Sequence, residues 1–384
     1  MQRTSDVLIF HENIINNRFN HPMRSDQILQ RPNMFKSILV TLVLVFLVRA
    51  TDSRKPHVIN FRWPGLYPES FTWDPKSDHF VVGSTRLREL ISVSDAGVTS
   101  ALTSEFTIPS NSSFLGIALD PNHDRLLAVV HRTAPLFNAL ASYHLPTFRI
   151  LSLTHLPSAA VANDVAVDFS GNAYVTDSAN DVIFKVNEHG DVSTLSESKV
   201  FKSQAVDTTA FYRDCGLNGI VYNTKGYLLV TQSNTGKLYK VDAEDGTARR
   251  VILNRDLTAA DGMAVRPDGV VLVVSRHKLY FIKSDDSWSE GVVFDETPLL
   301  EERQASAVAV GAENRVYVLY GHVNEGMMED SERGEFSIVE VESESESKEE
   351  NVWIFVLIGL GLVYFLIWRF QMRSLVQKMN KKTA

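Results

Sequence analysis

With 384 residues, 44% hydrophobic and 22% charged, the chain has an ordinary globular composition, long enough for one large domain or two small ones. The formal charge of −8 resides in residues 329–350, which hold ten acids and two bases, so the remainder is near neutral and offers no basic footprint for nucleic acid. A single cysteine, Cys215, excludes an intramolecular disulfide framework.

Residues 1–33 are polar, rich in Asn and without periodicity, and read as a disordered extension or an upstream segment of the gene. Met34-Phe35-Lys36 then precedes an apolar run over residues 38–48, and Val48-Arg49-Ala50 fits a small-residue cleavage site. Basic start, short apolar run and small residue predict a secretory signal peptide over 34–50, with an uncleaved anchor or a buried strand as the alternative. The run is too short to span a bilayer unaided.

From residue 51 to 341 the sequence is organised by a repeat. Counting from Ser70, equivalent positions fall at Gly116, Asn163, Asn218, Asp261 and Ser306, at intervals of 46, 47, 55, 43 and 45 residues. Each unit holds a short apolar run, a turn rich in Gly, Asn, Asp or Pro, and a second apolar run; third and fourth strands follow in most units, as at residues 182–186 and 237–241. Six such units predict an all-β, six-bladed β-propeller. The first run of each unit is nearly continuous in apolar residues, as expected of a strand covered on both faces. Residues 57–63 precede the first full unit and are expected to pair with residues 336–341 of the last, closing the ring.

Beyond residue 341 the composition changes. Residues 342–350 alternate Ser with Glu and predict an extended, self-repelling spacer. Residues 352–368 are uncharged and bracketed by Trp353 and Trp368, which predicts a transmembrane helix over 352–370. The tail, 371–384, carries Arg373, Lys378, Lys381 and Lys382 and no acid. Positive residues stay cytosolic, so the propeller is expected to be lumenal or extracellular in a single-pass type I protein. Lys381 and Lys382 resemble the dilysine signal that coat proteins recognise for retrieval to the endoplasmic reticulum membrane; without it, the later secretory pathway or plasma membrane is the expectation. Asn111-Ser112-Ser113 is the one N-glycosylation acceptor.

Glu69, Asn163, Asn218 and Asp261 each stand at the head of a first strand. In a propeller those strands begin at the channel mouth, so four oxygen-bearing side chains converge on one axial point. Two carboxylates and two amides, with no His or Cys, form a hard donor set that suits Ca2+ far better than zinc. A cation held by two formal charges keeps an open side toward the mouth, where it can polarise a carbonyl or phosphoryl oxygen. His131, Asp177 and Gln232 fall at the ends of second strands on the same face, and His322 lies just beyond the sixth equivalent; each is a candidate for touching substrate.

These residues resemble the six-bladed propellers of the senescence marker protein, gluconolactonase and luciferin-regenerating enzyme group, and more distantly the paraoxonases and diisopropylfluorophosphatase. The likeness spans about residues 57–341 and rests on Glu69 with Trp73, Asn163, Asn218-Gly219 and Asp261-Gly262, in order. It implies that the four side chains hold a catalytic Ca2+ and that Asp261 activates water or attacks substrate. The expected activity is hydrolysis of a lactone, ester or phosphotriester. Some relatives carry an Arg where this chain has Val161, which turns the expectation from sugar lactones toward apolar ones. Two other readings share the scaffold: a non-catalytic lumenal binding module that calcium only rigidifies, and a strictosidine synthase-like condensing enzyme.

Overall fold

The computed structural model describes residues 55–103, 107–328 and 331–382. The expected signal peptide over 34–50 and the segment 1–33 lie outside the described residues. Two compact units are present, one over Pro56–Leu360 and one that includes residues 361–382.

The first unit is all-β and propeller-like. Strand β1 (Val58–Arg62) precedes a series of four-strand antiparallel meanders. The first comprises β2 (Pro68–Asp74), β3 (His79–Ser84), β4 (Leu90–Ser94) and β5 (Thr99–Ala101); the next, β6 (Ser113–Asp120), β7 (Arg125–Arg132), β8 (Phe137–His144) and β9 (Arg149–His155). There follow β10 (Ala162–Val167), β11 (Ala173–Asp177), β12 (Val182–Val186) and β13 (Val192–Ser196). Strands β14 (Leu217–Asn223), β15 (Tyr227–Gln232), β16 (Lys237–Asp242) and β17 (Ala248–Leu253) form one eight-stranded sheet with β18 (Ala260–Val265), β19 (Val271–Ser275), β20 (Lys278–Lys283) and β21 (Glu290–Pro298). Its two halves are each antiparallel meanders, joined in the sheet where Ile252 and Leu253 run parallel to Glu290 and Gly291. The last sheet has the order β1-β24-β23-β22, with β22 (Ala305–Val310), β23 (Val316–Tyr320) and β24 (Glu335–Glu340).

Ring closure follows the sequence expectation. Strand β1 pairs antiparallel with β24, Val58 opposite Val339 and Arg62 opposite Glu335. Neighbouring first strands touch in cyclic order, β2, β6, β10, β14, β18 and β22, and β22 returns to β2. The strands form because their apolar runs end in turns with local hydrogen-bond partners. Asp168 Oδ1, for example, accepts from the backbone N–H groups of Ser170 and Asn172, and Gly171 adopts the positive φ of 83° that the turn requires. An apolar cluster fills each seam between consecutive meanders. Phe71, Phe80, Tyr317 and Phe336 belong to the closing seam, and Leu228, Val230, Phe201 and Tyr174 to that between β10–β13 and β14–β17. Burying such side chains contributes about 1.5–3 kcal/mol each.

A short helix α1 (Val323–Gly326) follows β23, and helix α2 runs from Glu344 to Lys382. Residues 344–350, expected to stay extended through charge repulsion, are therefore helical. The reason is local. Ser343 Oγ accepts from the Glu346 N–H at 3.2 Å, a serine cap with glutamate at the third helical position. Asp295 Oδ2 accepts from Ser343 Oγ and the Ser345 N–H, and Arg266 donates to both Glu346 oxygens at 2.7 and 2.8 Å. Arg266 offsets the repulsion at Glu346, and acids in the first turn also favour the helix dipole. Within α2, Val356–Lys381 has mean hydropathy 1.4 and is long and apolar enough to cross a membrane.

Candidate metal and substrate site

Every first strand begins with a register break against its neighbour, and the candidate residues sit in the breaks. The shifts lie between Pro68 and Phe71, Ala162 and Val165, Leu217 and Ile220, and Ala260 and Met263, enclosing Glu69, Asn163, Asn218 and Asp261 respectively. A β-bulge leaves its extra residue unpaired and re-aims the side chain. Here the four side chains line one central cavity of about 60 Å³ and also open onto a mouth cavity of about 560 Å³. Corresponding bulges at Leu115-Gly116 and Ser306 supply no charged group.

Asp164 joins them. It stands where the β6, β14 and β18 bulges carry Gly116, Gly219 and Gly262, and it lines the central cavity. Its Oδ2 accepts from the Ile220 N–H at 3.0 Å and its Oδ1 from the Val165 N–H at 2.8 Å, so it ties β10 to β14. Gly116 is required opposite, because a Cβ there would come 2.4 Å from Asp164 Oδ1. The departure of Asn163-Asp164 from a polar-Gly pattern was the available signal.

Charge at this point is strained. Burial pushes the Glu69 carboxyl well above its usual range, with Asp261 and Asp164 adding repulsion, and Glu69 Oε2 has no hydrogen-bond partner. Burial lifts Asp164 to about 7 despite its two backbone donors, and lifts Asp261 to about 7 against the stabilising hydrogen bond from Asn218. Asn218 Nδ2 donates to Asp261 Oδ1 at 3.1 Å and to Ser233 Oγ at 3.0 Å; Asn163 Nδ2 donates to Ser178 Oγ at 2.9 Å. The oxygen donors thus suit a hard cation, and an orphaned carboxylate oxygen among mutually repelling acids is what such a cation would relieve. Among the described residues no group of three or more His, Cys, Asp and Glu side chains could hold a metal by itself, so a cation here would also need neutral oxygens such as those of the amides.

Of the candidates for substrate contact, His131 lines the mouth cavity. Asn138 Nδ2 donates to the Ala159 carbonyl at 2.8 Å, while its Oδ1 accepts from the Ala162 N–H at 3.1 Å and faces His131 Nδ1 at 2.8 Å. That oxygen can only accept, so Nδ1 carries a proton, and in the neutral ring Nε2, 3.4 Å from Thr133 Oγ1, is the acceptor.

Asp177, Gln232 and His322 do not line either cavity. Asp177 accepts from the N–H groups of Ala160, Val161, Ala179 and Asn180 and holds a loop together. Gln232 donates to the Phe201 carbonyl and Asp181 and accepts from Thr235 and Tyr239. His322 lies 3.4 Å from Glu325 beside a separate cavity of about 840 Å³; burial and nearby Arg333 push its pKa down. The polar groups of Asp177 and Gln232 thus serve the scaffold, and the buried His322 Nδ1 has no hydrogen-bond partner among the described residues.

The mouth also contains residues no motif announced: Arg86, Leu115, Phe211, Arg276 and Met327. Arg276 stacks over the exposed Phe211 ring at 5.1 Å, and Arg86 lies over Tyr67 at 4.9 Å while donating to the Ser331 carbonyl. Cys215 is at the same opening, where burial raises its thiol to about 11 and keeps it protonated. Val161 lines the mouth with no charge to offer.

The fold compares with solved structures at low identity. The major allergen Mala s 1 of Malassezia sympodialis superposes with a TM-score of 0.62 at 17% identity, over 75% of this chain and 97% of that one. A streptogramin B lyase gives 0.52 at 11% identity, over 74% and 97%, and a gluconolactonase of Xanthomonas campestris gives 0.50 at 14%, over 75% and 88%. At such identities the likeness establishes the propeller-like fold and nothing finer. No protein-family model and no curated protein matches the sequence.

Proposed function

We propose that this chain is a Ca2+-dependent hydrolase of apolar lactones, esters or phosphotriesters, carried on a six-bladed propeller that α2 anchors to a membrane. In this reading the eight-stranded sheet counts as two blades fused along their outer edges. The propeller is lumenal, the protein is a single-pass type I resident of the endoplasmic reticulum, and its tail is read through Lys381 and Lys382. The exposed acceptor Asn111, at a positive-φ turn, suits lumenal glycosylation.

The observation that carries the hydrolase reading is the convergence of Glu69, Asn163, Asn218 and Asp261 on one cavity floor with an unpartnered carboxylate oxygen. These four would hold the ion, which, when bound, supplies polarisation of the scissile oxygen and a lowered pKa for water. The chain's own groups do the rest. Leu115, Phe211 and Met327 offer apolar surface for the body of the substrate, and Val161 offers no partner for sugar hydroxyls. Asp261, lining the floor, orients water and accepts its proton. His131 Nε2, its tautomer set by Asn138, is a second acceptor at the wall.

The test is hydrolysis of a panel of aliphatic lactones, aryl esters and phosphotriesters by the full chain in detergent. Turnover that stops with chelator and returns with calcium is expected. Calcium-dependent binding of the same compounds without turnover would replace this reading with the binding module.

A further inference from the structure

Two serines outside the candidate donor set occupy equivalent places and make equivalent bonds. Ser178 follows β11 and Ser233 follows β15; they are 4% and 3% exposed. Ser178 Oγ donates to the Leu217 carbonyl at 2.6 Å, and Ser233 Oγ donates to the Ala260 carbonyl at 2.6 Å. A carbonyl oxygen can only accept, so each serine has spent its single proton. Toward Asn163 and Asn218 the serines can therefore only accept, which requires the amide nitrogen, and the bonds of 2.9 and 3.0 Å are made by Nδ2 in both cases. Each amide oxygen is thereby turned away from its serine.

The second partners are equally informative. Leu217 immediately precedes Asn218, and Ala260 immediately precedes Asp261. Each serine thus grips the amide of its own strand pair and the backbone at the head of the next first strand. A relay runs from Asn163 through Ser178 to the Asn218 bulge, and through Ser233 to the Asp261 bulge.

We infer that Ser178 and Ser233 are positioning residues that hold the Asn163 and Asn218 amides oxygen-first; this rests on the calcium reading above. Without the hydroxyl, an amide can rotate by a half-turn and present N–H groups to the cation. Groups that orient metal ligands in this way typically account for 10–100-fold in affinity.

The experiment is calcium titration of the full chain in detergent by calorimetry, with thermal unfolding in chelator as the measure of folding. Wild type, Ser178→Ala, Ser233→Ala, Asn218→Asp and the double variant Ser233→Ala/Asn218→Asp are compared. Each serine variant is expected to bind calcium about 10–100-fold more weakly. In the Asn218→Asp background, Ser233→Ala is expected to have little effect, because a carboxylate presents oxygen either way. Unchanged affinity in both single serine variants would overturn the inference while leaving the calcium reading intact. Equal weakening by Ser233→Ala in the wild-type and Asn218→Asp backgrounds would also overturn it, by showing a purely structural role. A wild type that binds no calcium would remove the calcium reading and this inference with it.

Discussion

Asn218 Nδ2 lies 3.1 Å from Asp261 Oδ1, a bridge between the bulges of two neighbouring first strands whose residues are 43 positions apart in the chain. It is the one hydrogen bond found between two of the four candidate donors among the described residues. It draws Asp261 toward ionisation, while burial and Asp164 push the other way.

Glu69 has no such help, and its Oε2 is unpartnered. In chelator, Glu69→Gln is expected to raise the melting temperature, because it removes an acid whose charged form is disfavoured by burial and by two neighbours. In calcium the order should reverse. At a concentration about 100 times the dissociation constant, linkage stabilises wild type by about 3 kcal/mol, an increment that Glu69→Gln and Asp261→Asn should lose. Thermal unfolding with and without chelator decides it; increments that survive both substitutions would mean that calcium binds elsewhere.

The pH dependence has a definite sign. Asp164 and Asp261 titrate at about 7 when folded, against ordinary values near 3.8 when unfolded. Between those values the folded state holds more protons, so their contribution to stability is fully present below about pH 4 and lost as pH rises through about 7. The calcium-free protein should thus lose melting temperature from pH 5 to pH 8, with a shallower slope in Asp261→Asn. Calcium must displace protons from the same groups, so its stabilising increment should grow over that interval. A calcium increment that shrinks toward pH 8 would contradict this.

Packing at the ring is tight enough to be tested with one methyl group. A Cβ on Gly116 would meet Asp164 Oδ1 at 2.4 Å and the Asp164 Cα at 2.5 Å, so Gly116→Ala must push β6 away from β10. A loss of about 1–3 kcal/mol in unfolding free energy is expected from overpacking of this kind. Gly226→Ala is the control for clash, since a Cβ there meets nothing within 4 Å and only its positive φ is penalised. No loss in Gly116→Ala would show that the approach of Gly116 to Asp164 is not tight.

Membrane orientation can be read from Asn111 and the tail. In cells, glycosidase treatment should reduce the apparent mass of wild type by a single glycan and leave Asn111→Gln unchanged. Replacing Lys381 and Lys382 by Ala should move the protein to later secretory compartments. An unglycosylated wild type would remove the support that Asn111 gives the lumenal reading, and an unaltered distribution would remove the retrieval signal.

Much of this architecture is determined locally. The apolar runs, their turn residues and the spacing of Glu69, Asn163, Asn218 and Asp261 lie within short stretches, and a repeated short-range pattern needs no tertiary information to be read. Pairing of residues 57–63 with the end of the last unit followed from the same logic, since a ring must close. The helical start at Ser343 to Glu346 was also written locally, but its charge pattern pointed the other way. Arg266, 80 residues distant, offsets the charge of Glu346, and Asp295, 50 residues distant, accepts from the Ser345 N–H, so the capping pattern prevails.

What only tertiary structure decided depends on neighbours brought together from different repeats. Asp177, Gln232 and His131 are alike in sequence as polar ends of second strands. Yet backbone donors and buried partners absorb the first two, and only His131 is left facing the mouth. Asp164 looks like a turn residue until Ile220, 56 positions away, supplies its hydrogen bond, and Ser178 and Ser233 look like loop polarity until the Leu217 and Ala260 carbonyls accept their hydrogen bonds. Sequence determines which side chains exist at each strand head; the register between strands determines where their lone pairs point, because hydrogen bonds depend on distances of tenths of an ångström that no single strand contains.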